Sequence, residues 1–246
     1  MKKRFAFPLV LALGAAFSLP SAPGTPHRAE AASAKEWLTL SSGASYYGEV
    51  ANGVPDGRGT IKWGSGKQYS GDFVNGKRSG SGKYINRYAD SDAYGRSHKV
   101  VYSGEWSADK MNGKGEWTQH VTEKDGAQVS NELRTGTFTN NVLTTGYDVI
   151  HAQADPDYSF AYLDKGFRLN ILSGSQNLLA NWKSGALFDV QYRKGAVTKR
   201  YSSFAGDTPA QERDRKAAFK YLQTVTSEVA PHLRQFEALS KKVPLS

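Results

Sequence analysis

A pattern of tyrosine and glycine residues recurs at a spacing of 23 residues in the first half of the chain. It reads Tyr-x-Gly-x-Val-x-x-Gly-x-x-x-Gly-x-Gly over residues 46–59, and it returns over residues 69–82 with phenylalanine in place of valine. A third copy over residues 102–115 has tryptophan at that position and Asp109 in place of a glycine. A fixed period of this kind predicts stacked copies of one supersecondary unit, so it constrains the fold more than any single residue does.

Each copy has the sequence of a β-hairpin. Signature residues alternate with other residues over positions 46–50, as expected for a half-buried strand. Asn52-Gly53, and Asn75-Gly76 in the next copy, then supply two residues that tolerate positive φ in a turn. We therefore predict a mainly β protein, an elongated twisted antiparallel sheet of stacked hairpins over residues 46–68, 69–91 and 102–117.

Two expansions interrupt the regular spacing. The third copy begins 33 residues after the second, which places ten additional residues between Arg87 and Lys99. A degenerate fourth copy over residues 134–146 begins 32 residues after the third, which places a similar expansion between Gln119 and Asn131. An insertion into a stacked repeat becomes a loop or an extended hairpin on one face. The aromatic and charged residues of the first expansion make it the better candidate for a distinct surface feature.

The sequence of residues 147–206 predicts less regular hairpins, which continue the sheet predicted for residues 35–146. Alternating segments begin at Tyr158, Phe167 and Leu187, and glycine-containing turn sequences separate them. The segment from Asn181 to Gly185 weakly resembles the strand and turn of a repeat. We predict an irregular β continuation for this region.

The end of the chain predicts a helix or a kinked pair of helices. Thr208, Pro209 and Gln211 have the pattern of an N-terminal cap with a capping box. Pro231 removes a backbone hydrogen bond, so we expect it to kink or divide the helix, with Ser227 as a candidate cap for the second part. Apolar residues recur at helical spacing within the basic segment 207–246: Ala218, Leu222, Val225, Val229, Leu233 and Phe236.

The first 34 residues have the organisation of a secretory signal peptide. Lys2, Lys3 and Arg4 precede an apolar run over residues 5–19, and small residues offer cleavage sites near positions 31 and 34. The run is shorter than the ~20 residues that span a bilayer, so we expect cleavage and no transmembrane segment in the mature chain. The chain has no cysteine. An exported chain without disulfides favours a secreted or cell-surface protein of a Gram-positive bacterium.

The positive charge is concentrated at the C-terminus. The whole chain has a formal net charge of +9. The first 31 residues contribute +3, and residues 193–246 contribute +6 from eleven basic and five acidic side chains, so the stretch between them is near neutral. A basic end indicates contact with anionic lipid headgroups or wall polymers. A solvated charged helix is the alternative, and nucleic acid is not expected as a partner, since the charge is confined to one end.

The signature and its 23-residue period resemble the MORN repeat (membrane occupation and recognition nexus). Residues 46–117 match well and residues 134–146 match partly. The resemblance implies an elongated, grooved sheet that serves as a scaffold or interaction surface, and a lipid-binding role has been proposed for the family. It implies no catalysis and no cofactor. Residues from 147 onward lie outside the resemblance.

Two groups of residues are candidates for a binding surface. Aromatic residues recur along the predicted sheet, where they either pack the sheet or line a groove: Tyr69, Phe73, Tyr84, Tyr102, Trp106 and Trp117. Basic residues of the predicted helix lie off its apolar stripe: Arg213, Lys216 and Lys220. Lysines at positions outside the signature, Lys62, Lys83 and Lys114, are further candidates on the exposed face.

Catalytic and metal sites have weaker support. The five histidines, at positions 27, 98, 120, 151 and 232, are isolated in the sequence, and no cysteine accompanies them, so no metal site is predicted. The repeat glycines precede hairpin strands and not helices, which excludes a phosphate-binding loop. Asp155 and Asp157 flank Pro156 and indicate a turn, although with His151 they could form a hydrolytic site.

Two functions follow as hypotheses. The first is an exported, non-enzymatic structural or interaction module of the cell envelope that binds a protein, a lipid headgroup or a wall polymer. The second is an envelope hydrolase with its site in residues 147–206 and the repeats as a binding appendage. A deep pocket that holds Asp155 or Asp157 beside His151 would favour the hydrolase.

Overall fold

The computed structural model describes residues 34–91 and 94–245, so the predicted signal peptide lies outside the described residues. The described chain forms one antiparallel sheet of 13 strands arranged in sequence order, as predicted for stacked hairpins. The strands are β1 (Lys35–Thr39), β2 (Ser45–Ala51), β3 (Val54–Trp63), β4 (Lys67–Val74), β5 (Lys77–Ala89), β6 (Ser97–Ser107), β7 (Lys110–Thr122), β8 (Gln128–Thr139), β9 (Val142–Ala152), β10 (Tyr158–Leu163), β11 (Phe167–Ser173), β12 (Asp189–Lys194) and β13 (Val197–Ser202). The helices are α1 (Leu178–Ser184), α2 (Pro209–Thr224) and α3 (Thr226–Ser240).

The repeats form the hairpins β2–β3, β4–β5, β6–β7 and β8–β9. Each closes through two residues with positive φ, beginning with Asn52 at 52° and Gly53 at 77°. Such turns match the twist of the flanking strands. In the third hairpin Ala108 and Asp109 adopt the same conformation without glycine, at 47° and 71°. The Asp109 carboxylate accepts hydrogen bonds from the backbone N–H and the Nε of Arg78, both at 3.0 Å, which ties this turn to the preceding hairpin.

Both expansions lengthen hairpins, which is one of the two outcomes expected for an insertion. Strands β5 and β6 remain paired as far as Ala89 and Ser97. Strands β7 and β8 remain paired as far as Thr122 and Gln128. The sheet is therefore longer in the strand direction at β5–β8 than in the regular repeats.

The sheet buries different faces in its two halves. We name the side that carries Tyr46, Tyr69 and Tyr102 the tyrosine face, and the side that carries Tyr47, Lys83 and Leu133 the reverse face. The repeats pack a cluster of their own aromatic side chains on the tyrosine face. From β8 to β13 the reverse face is buried under the three helices. The sheet therefore has two separate hydrophobic cores, one on each side.

Residues 147–206 continue the sheet through β10–β13, as predicted, but one assignment within them is wrong. The segment from Asn181 to Gly185 belongs to helix α1 and does not form a strand and turn. Leu178 and Trp182, four residues apart, are both buried on one side of this helix. Gly185 ends it with a φ of 76°, which is the usual role of glycine after a helix.

The C-terminal segment forms two helices, but they divide at Val225 and not at Pro231. Thr208 caps α2, and Gln211 completes the predicted capping box. Val225 leaves helical geometry with φ −100° and ψ 10°, and α3 begins at Thr226, so the expected cap at Ser227 is wrong. The Thr226 hydroxyl accepts a hydrogen bond from the indole of Trp182 at 3.0 Å and donates to the Gln223 carbonyl. These bonds stabilise the break between α2 and α3, which lies six residues before Pro231.

The predicted apolar stripe is confirmed. Its residues lie in the core between the helices and the sheet, Val225 being only partly buried: Ala218, Leu222, Val225, Val229, Leu233 and Phe236.

Candidate functional site

Glycines form a continuous row across eight strands. They are direct cross-strand partners from β2 to β9, and all but the last stand at signature positions: Gly48, Gly59, Gly71, Gly82, Gly104, Gly115, Gly136 and Gly146. On the tyrosine face the missing side chains leave room for rings. On the reverse face the backbone of the same residues forms the floor of two shallow clefts.

Each signature tyrosine lies over the glycines of its own hairpin. A Cβ at Gly82 would stand 2.3 Å from the hydroxyl of Tyr69 and 2.4 Å from its ring. The Tyr69 hydroxyl donates to the carbonyl of Asp72 at 2.9 Å, beside the register shift between Gly71 and Asp72. The contact between tyrosine and glycine therefore lies within one hairpin.

The tyrosine hydroxyls are held in a protonated state by this packing. Burial, followed by the nearby Glu49 and Asp56 carboxylates, raises the pKa of Tyr46 to about 12. Burial and Glu105 raise the pKa of Tyr102 to about 12 as well. Each hydroxyl thus remains a donor to a backbone carbonyl at neutral pH, and these groups have a structural role.

An acidic residue follows the first signature glycine in three repeats, and sequence analysis missed it. Glu49 accepts the backbone N–H of Arg58 at 3.0 Å, and Asp72 accepts that of Ser81 at 2.8 Å. Glu105 occupies the same position and lies against Gly113. The signal was present as a carboxylate at one position of every regular copy.

The aromatic candidates divide between buried and partly exposed positions. Four are at most 5% exposed and pack edge-to-face in the tyrosine-face core: Tyr69, Phe73, Tyr102 and Trp106. Tyr84 and Trp117 are partly buried in the same cluster. Burial leaves the first four no surface to offer a ligand, so packing accounts for their recurrence.

The first cleft of the reverse face combines aromatic and basic side chains. It has a volume of about 560 Å³ over the glycine row, and Lys35, Arg58 and Lys83 line it together with Tyr47. Trp37, which is 73% exposed, packs on Tyr47 with ring centroids 4.8 Å apart. No carboxylate lines this cleft, although Arg58 lies 3.4 Å from an oxygen of Asp72 outside it.

The second cleft lies further along the same glycine row. It has a volume of about 430 Å³ and is lined by Lys114, Glu116 and hydroxyl side chains such as Ser103 and Thr135. Lys83 and Lys114, which the sequence suggested, thus line one cleft each, while Lys62 is exposed on the same face outside both. Sequence analysis missed Trp37 and Tyr47, whose outward direction depends on the register of β1 against β2.

The basic candidates of the C-terminal segment are exposed on α2, as predicted. Arg213, Lys216 and Lys220 are spaced so that they share one side of the helix. Lys216 lies 3.4 Å from Glu212, an oxygen of which also lies 2.7 Å from Arg215. This side of α2 therefore offers cations to solvent and no cavity.

A partly buried charge cluster occupies the tyrosine face where the two cores meet. Arg134 replaces the signature tyrosine of the fourth repeat, and its Nε lies 2.6 Å from Glu132 and 3.2 Å from Asp148. Its guanidinium also lies 4.7 Å from the ring of Trp117. Burial, followed by the neighbouring Asp148, raises the pKa of Glu132 to about 7, and burial raises that of Asp148. One oxygen of Asp148 is buried without a hydrogen-bond partner.

The residues of the hydrolase hypothesis are separated in the structure. Asp155 lines a cavity of about 830 Å³ together with Asp189, Arg200 and residues at the start of α2. His151 does not line that cavity, since its Nδ1 donates to the carbonyl of Val243 at 2.9 Å and its ring stacks on Tyr158. The remaining described histidines also have local partners: His98 with Asp90, His120 with Asn131, and His232 with Tyr147.

In residues 34–91 and 94–245 no three histidine, aspartate or glutamate side chains come together as a metal site would require. Within the same ranges, none of the helices has the length and apolar character to cross a membrane.

Comparisons with known proteins agree with the repeat geometry. The model of the MORN repeat matches residues 46–68, 69–86 and 102–119. These are the hairpins β2–β3, β4–β5 and β6–β7 with their glycine row. The chain therefore contains MORN repeats, which are typically protein- or lipid-binding modules.

Relatives match this chain over part of its length. The chain is similar to Alsin from Homo sapiens and from Rattus norvegicus, at 35% identity over 99 residues, which are 40% of this chain and 5% of Alsin. It is similar to MORN repeat-containing protein 3 from Xenopus laevis, at 39% identity over 75 residues, which are 30% of each protein. The chain thus spans only a small part of the length of these relatives.

Proposed function

We propose that this MORN-repeat protein is an exported, non-enzymatic interaction module of the bacterial cell envelope. Its reverse face over the glycine row binds an anionic envelope component, either a lipid headgroup, a wall polymer or a protein that presents acidic groups. The basic side of α2 adds a second, weaker contact. The signal-peptide pattern supports the export, and the MORN repeats support a binding role.

The observation that carries this proposal is the composition of the first cleft. Three cations, Lys35, Arg58 and Lys83, surround a floor of backbone, and the described residues that line the cleft include no carboxylate. The exposed pair Trp37 and Tyr47 adds an apolar platform at one end. Cations around exposed apolar surface favour an anionic ligand with an apolar or ring-bearing part, since rings bind such platforms by stacking.

A pull-down of the processed chain from envelope fractions tests the binding role. The variant carrying K35Q, K83Q and W37A should lose the partner that the wild-type chain retains, and raised salt should weaken the wild-type interaction. The control variant carrying K77Q and K110Q removes two charges from hairpin turns and should behave as wild type. Equal recovery by both variants would contradict the proposed face.

The export and the lack of enzymatic activity need their own tests. N-terminal sequencing of the secreted protein should give a start near residue 32 or 35. Turnover of a wall polymer or a lipid that is abolished by one polar substitution would contradict the non-enzymatic role. It would favour the alternative of an envelope hydrolase whose site includes Asp155.

A further inference from the structure

The two lengthened hairpins form an open cavity on the sheet. It has a volume of about 740 Å³, within the ~300–1,000 Å³ typical of ligand sites. Its lining comes largely from the expansions, with Arg87, Ser97 and Lys99 from the first and His120 and Thr122 from the second. The cavity is thus a property of this chain and not of the repeat signature.

Three basic side chains form one row in this cavity. Arg87 pairs with Lys99 across β5 and β6, and Lys99 pairs with His120 across β6 and β7, so all three lie on the reverse face. Side chains directly opposite in an antiparallel pair have Cβ atoms about 5 Å apart, and like charges there are unfavourable. Arg87 and Lys99 form no ion pair with any residue in the described ranges.

Among the described residues that line the cavity, no carboxylate compensates these charges. The next row of the reverse face supplies the hydroxyls of Ser97 and Thr122, and both line the cavity. The neighbouring row of the reverse face in the opposite direction along the strands supplies Ile85 and Val101, which are apolar. Arg87 and Lys99 are both exposed beside these hydroxyl and apolar side chains, so an anion can reach them from solvent and accept charge-assisted hydrogen bonds from both.

His120 is held in a defined orientation by its neighbour. The side-chain nitrogen of Asn131 donates to Gln128 and to the carbonyl of Pro244, so its oxygen faces His120 Nδ1 at 2.7 Å and accepts a hydrogen bond from it. Nε2 is then the ring nitrogen available to a ligand. It can accept a hydrogen bond from the hydroxyl of a singly protonated phosphate.

We propose that this cavity is a binding site for a phosphate monoester. Arg87 matches two phosphate oxygens with parallel N–H groups, and Lys99 supplies a second charge. A dianion neutralises both cations, whereas a carboxylate would leave one of them uncompensated. The site is independent of the glycine-floored face, because none of its residues lines either cleft there.

Calorimetric titration of the processed chain with two probes tests this site. Glycerol 3-phosphate represents a soluble monoester, and vesicles with phosphatidic acid represent a lipid headgroup. Vesicles with phosphatidylglycerol, a diester of similar negative charge, control for general electrostatic attraction. The variant R87Q/K99Q should weaken binding of at least one monoester probe tenfold or more, and the variant K77Q/K110Q, with the same loss of charge, should leave it unchanged.

The outcomes separate the source of the ligand from the existence of the site. Binding of glycerol 3-phosphate with this variant pattern supports a soluble ligand, and binding of phosphatidic acid vesicles alone supports a lipid headgroup. Equal losses of monoester binding in both variants, or no saturable binding of either monoester probe, would overturn the proposal.

The melting temperature distinguishes a ligand-binding role of Arg87 and Lys99 from a structural role. Without ligand, R87Q/K99Q should melt at or above the wild-type temperature, because it removes cross-strand repulsion. Glycerol 3-phosphate should raise the wild-type melting temperature by mass action, and it should leave that of the variant unchanged. K99Q alone gives the same comparison where the double variant does not fold.

Discussion

Leu133 and Phe138 lie on the same strand, β8, and are buried on opposite faces of the sheet. Phe138 packs against Tyr102 in the tyrosine-face core, with ring centroids 5.2 Å apart. Leu133 lies with Val149 in the core under the helices. Strand β8 is therefore shared by both cores. A substitution in either core should shift the midpoint of a single cooperative unfolding transition.

The glycine row should tolerate no side chain. Valine at Gly71 would bring a Cβ within 2.5 Å of the Cα of Gly82 and of the Ser81 carbonyl. Overpacking of this kind typically costs ~1–3 kcal/mol of unfolding free energy, which urea denaturation would measure. G166V is the matched control, because nothing lies within 4 Å of a Cβ at Gly166. Wild-type stability of G71V would contradict the packing role of the row.

The Tyr69 hydroxyl should contribute to stability through its backbone bond. Y69F removes the donor to the Asp72 carbonyl and leaves that acceptor in a partly buried site. The expected loss is about 1 kcal/mol of unfolding free energy. Y47F, at an exposed tyrosine of the neighbouring hairpin, should change the denaturation midpoint by much less. Equal effects of the two substitutions would show that the hydroxyl bond is unimportant.

The helices should stabilise the repeats through β8. F236A removes a fully buried ring from the core under α3 and should cost ~3–5 kcal/mol in thermal or urea unfolding. F204A removes a ring that is 64% exposed and should cost about 0.5 kcal/mol or less. If F236A produced a second transition in which the tyrosine-face core survived, the two cores would be independent.

The exposed basic side of α2 should bind anionic surfaces weakly. Replacing Arg213, Lys216 and Lys220 by glutamine should reduce binding to anionic vesicles at ~0.1 M salt and leave the melting temperature unchanged, since all three are exposed. At ~1 M salt the screening length falls to ~3 Å, so the wild-type chain should also lose binding. Deletion of residues 208–246 should remove the binding and the stability together. Unchanged vesicle binding after either change would exclude this contact.

Glu132 should make stability depend on pH between about 4.5 and about 7. Its pKa is about 7 in the folded chain against 4.5 for an ordinary glutamate, so the folded state retains the proton to a higher pH than the unfolded state does. The stability that protonated Glu132 contributes is fully present below the pKa of the unfolded state. It is lost as the pH rises through the pKa of the folded state. Asp148, whose pKa is also raised by burial, acts in the same direction.

The variant E132Q isolates this effect. Its stability relative to wild type should rise between pH 5 and pH 8 by an amount on the order of 2 kcal/mol, measured by urea denaturation at each pH. The comparison with wild type is needed because burial lowers the pKa of His232, which gives a slope of the opposite sign. E36Q, at an exposed carboxyl of β1, should show no such trend. A constant difference between E132Q and wild type would contradict the raised pKa.

Features with short-range causes could be predicted from the sequence. The repeat period determined the hairpins, because the alternating residues and the Asn-Gly turns act within a few residues of one another. The capping box at Thr208 and the apolar stripe of the C-terminal helices were predictable for the same reason. Helix α1 was missed although Leu178, Trp182 and Gly185 marked it, since a seven-residue helix carries little periodic signal.

Features that depend on register were decided by the tertiary structure alone. Leu133 and Phe138 are both large apolar residues of one strand. Only the pairing of β8 with its neighbours assigns them to opposite faces. The row of Arg87, Lys99 and His120 likewise joins residues from three strands, and a shift of one residue in any pairing would send a cation to the other face. Local patterns specify each hairpin, but the meeting of distant side chains depends on how long hairpins align, which no local pattern encodes.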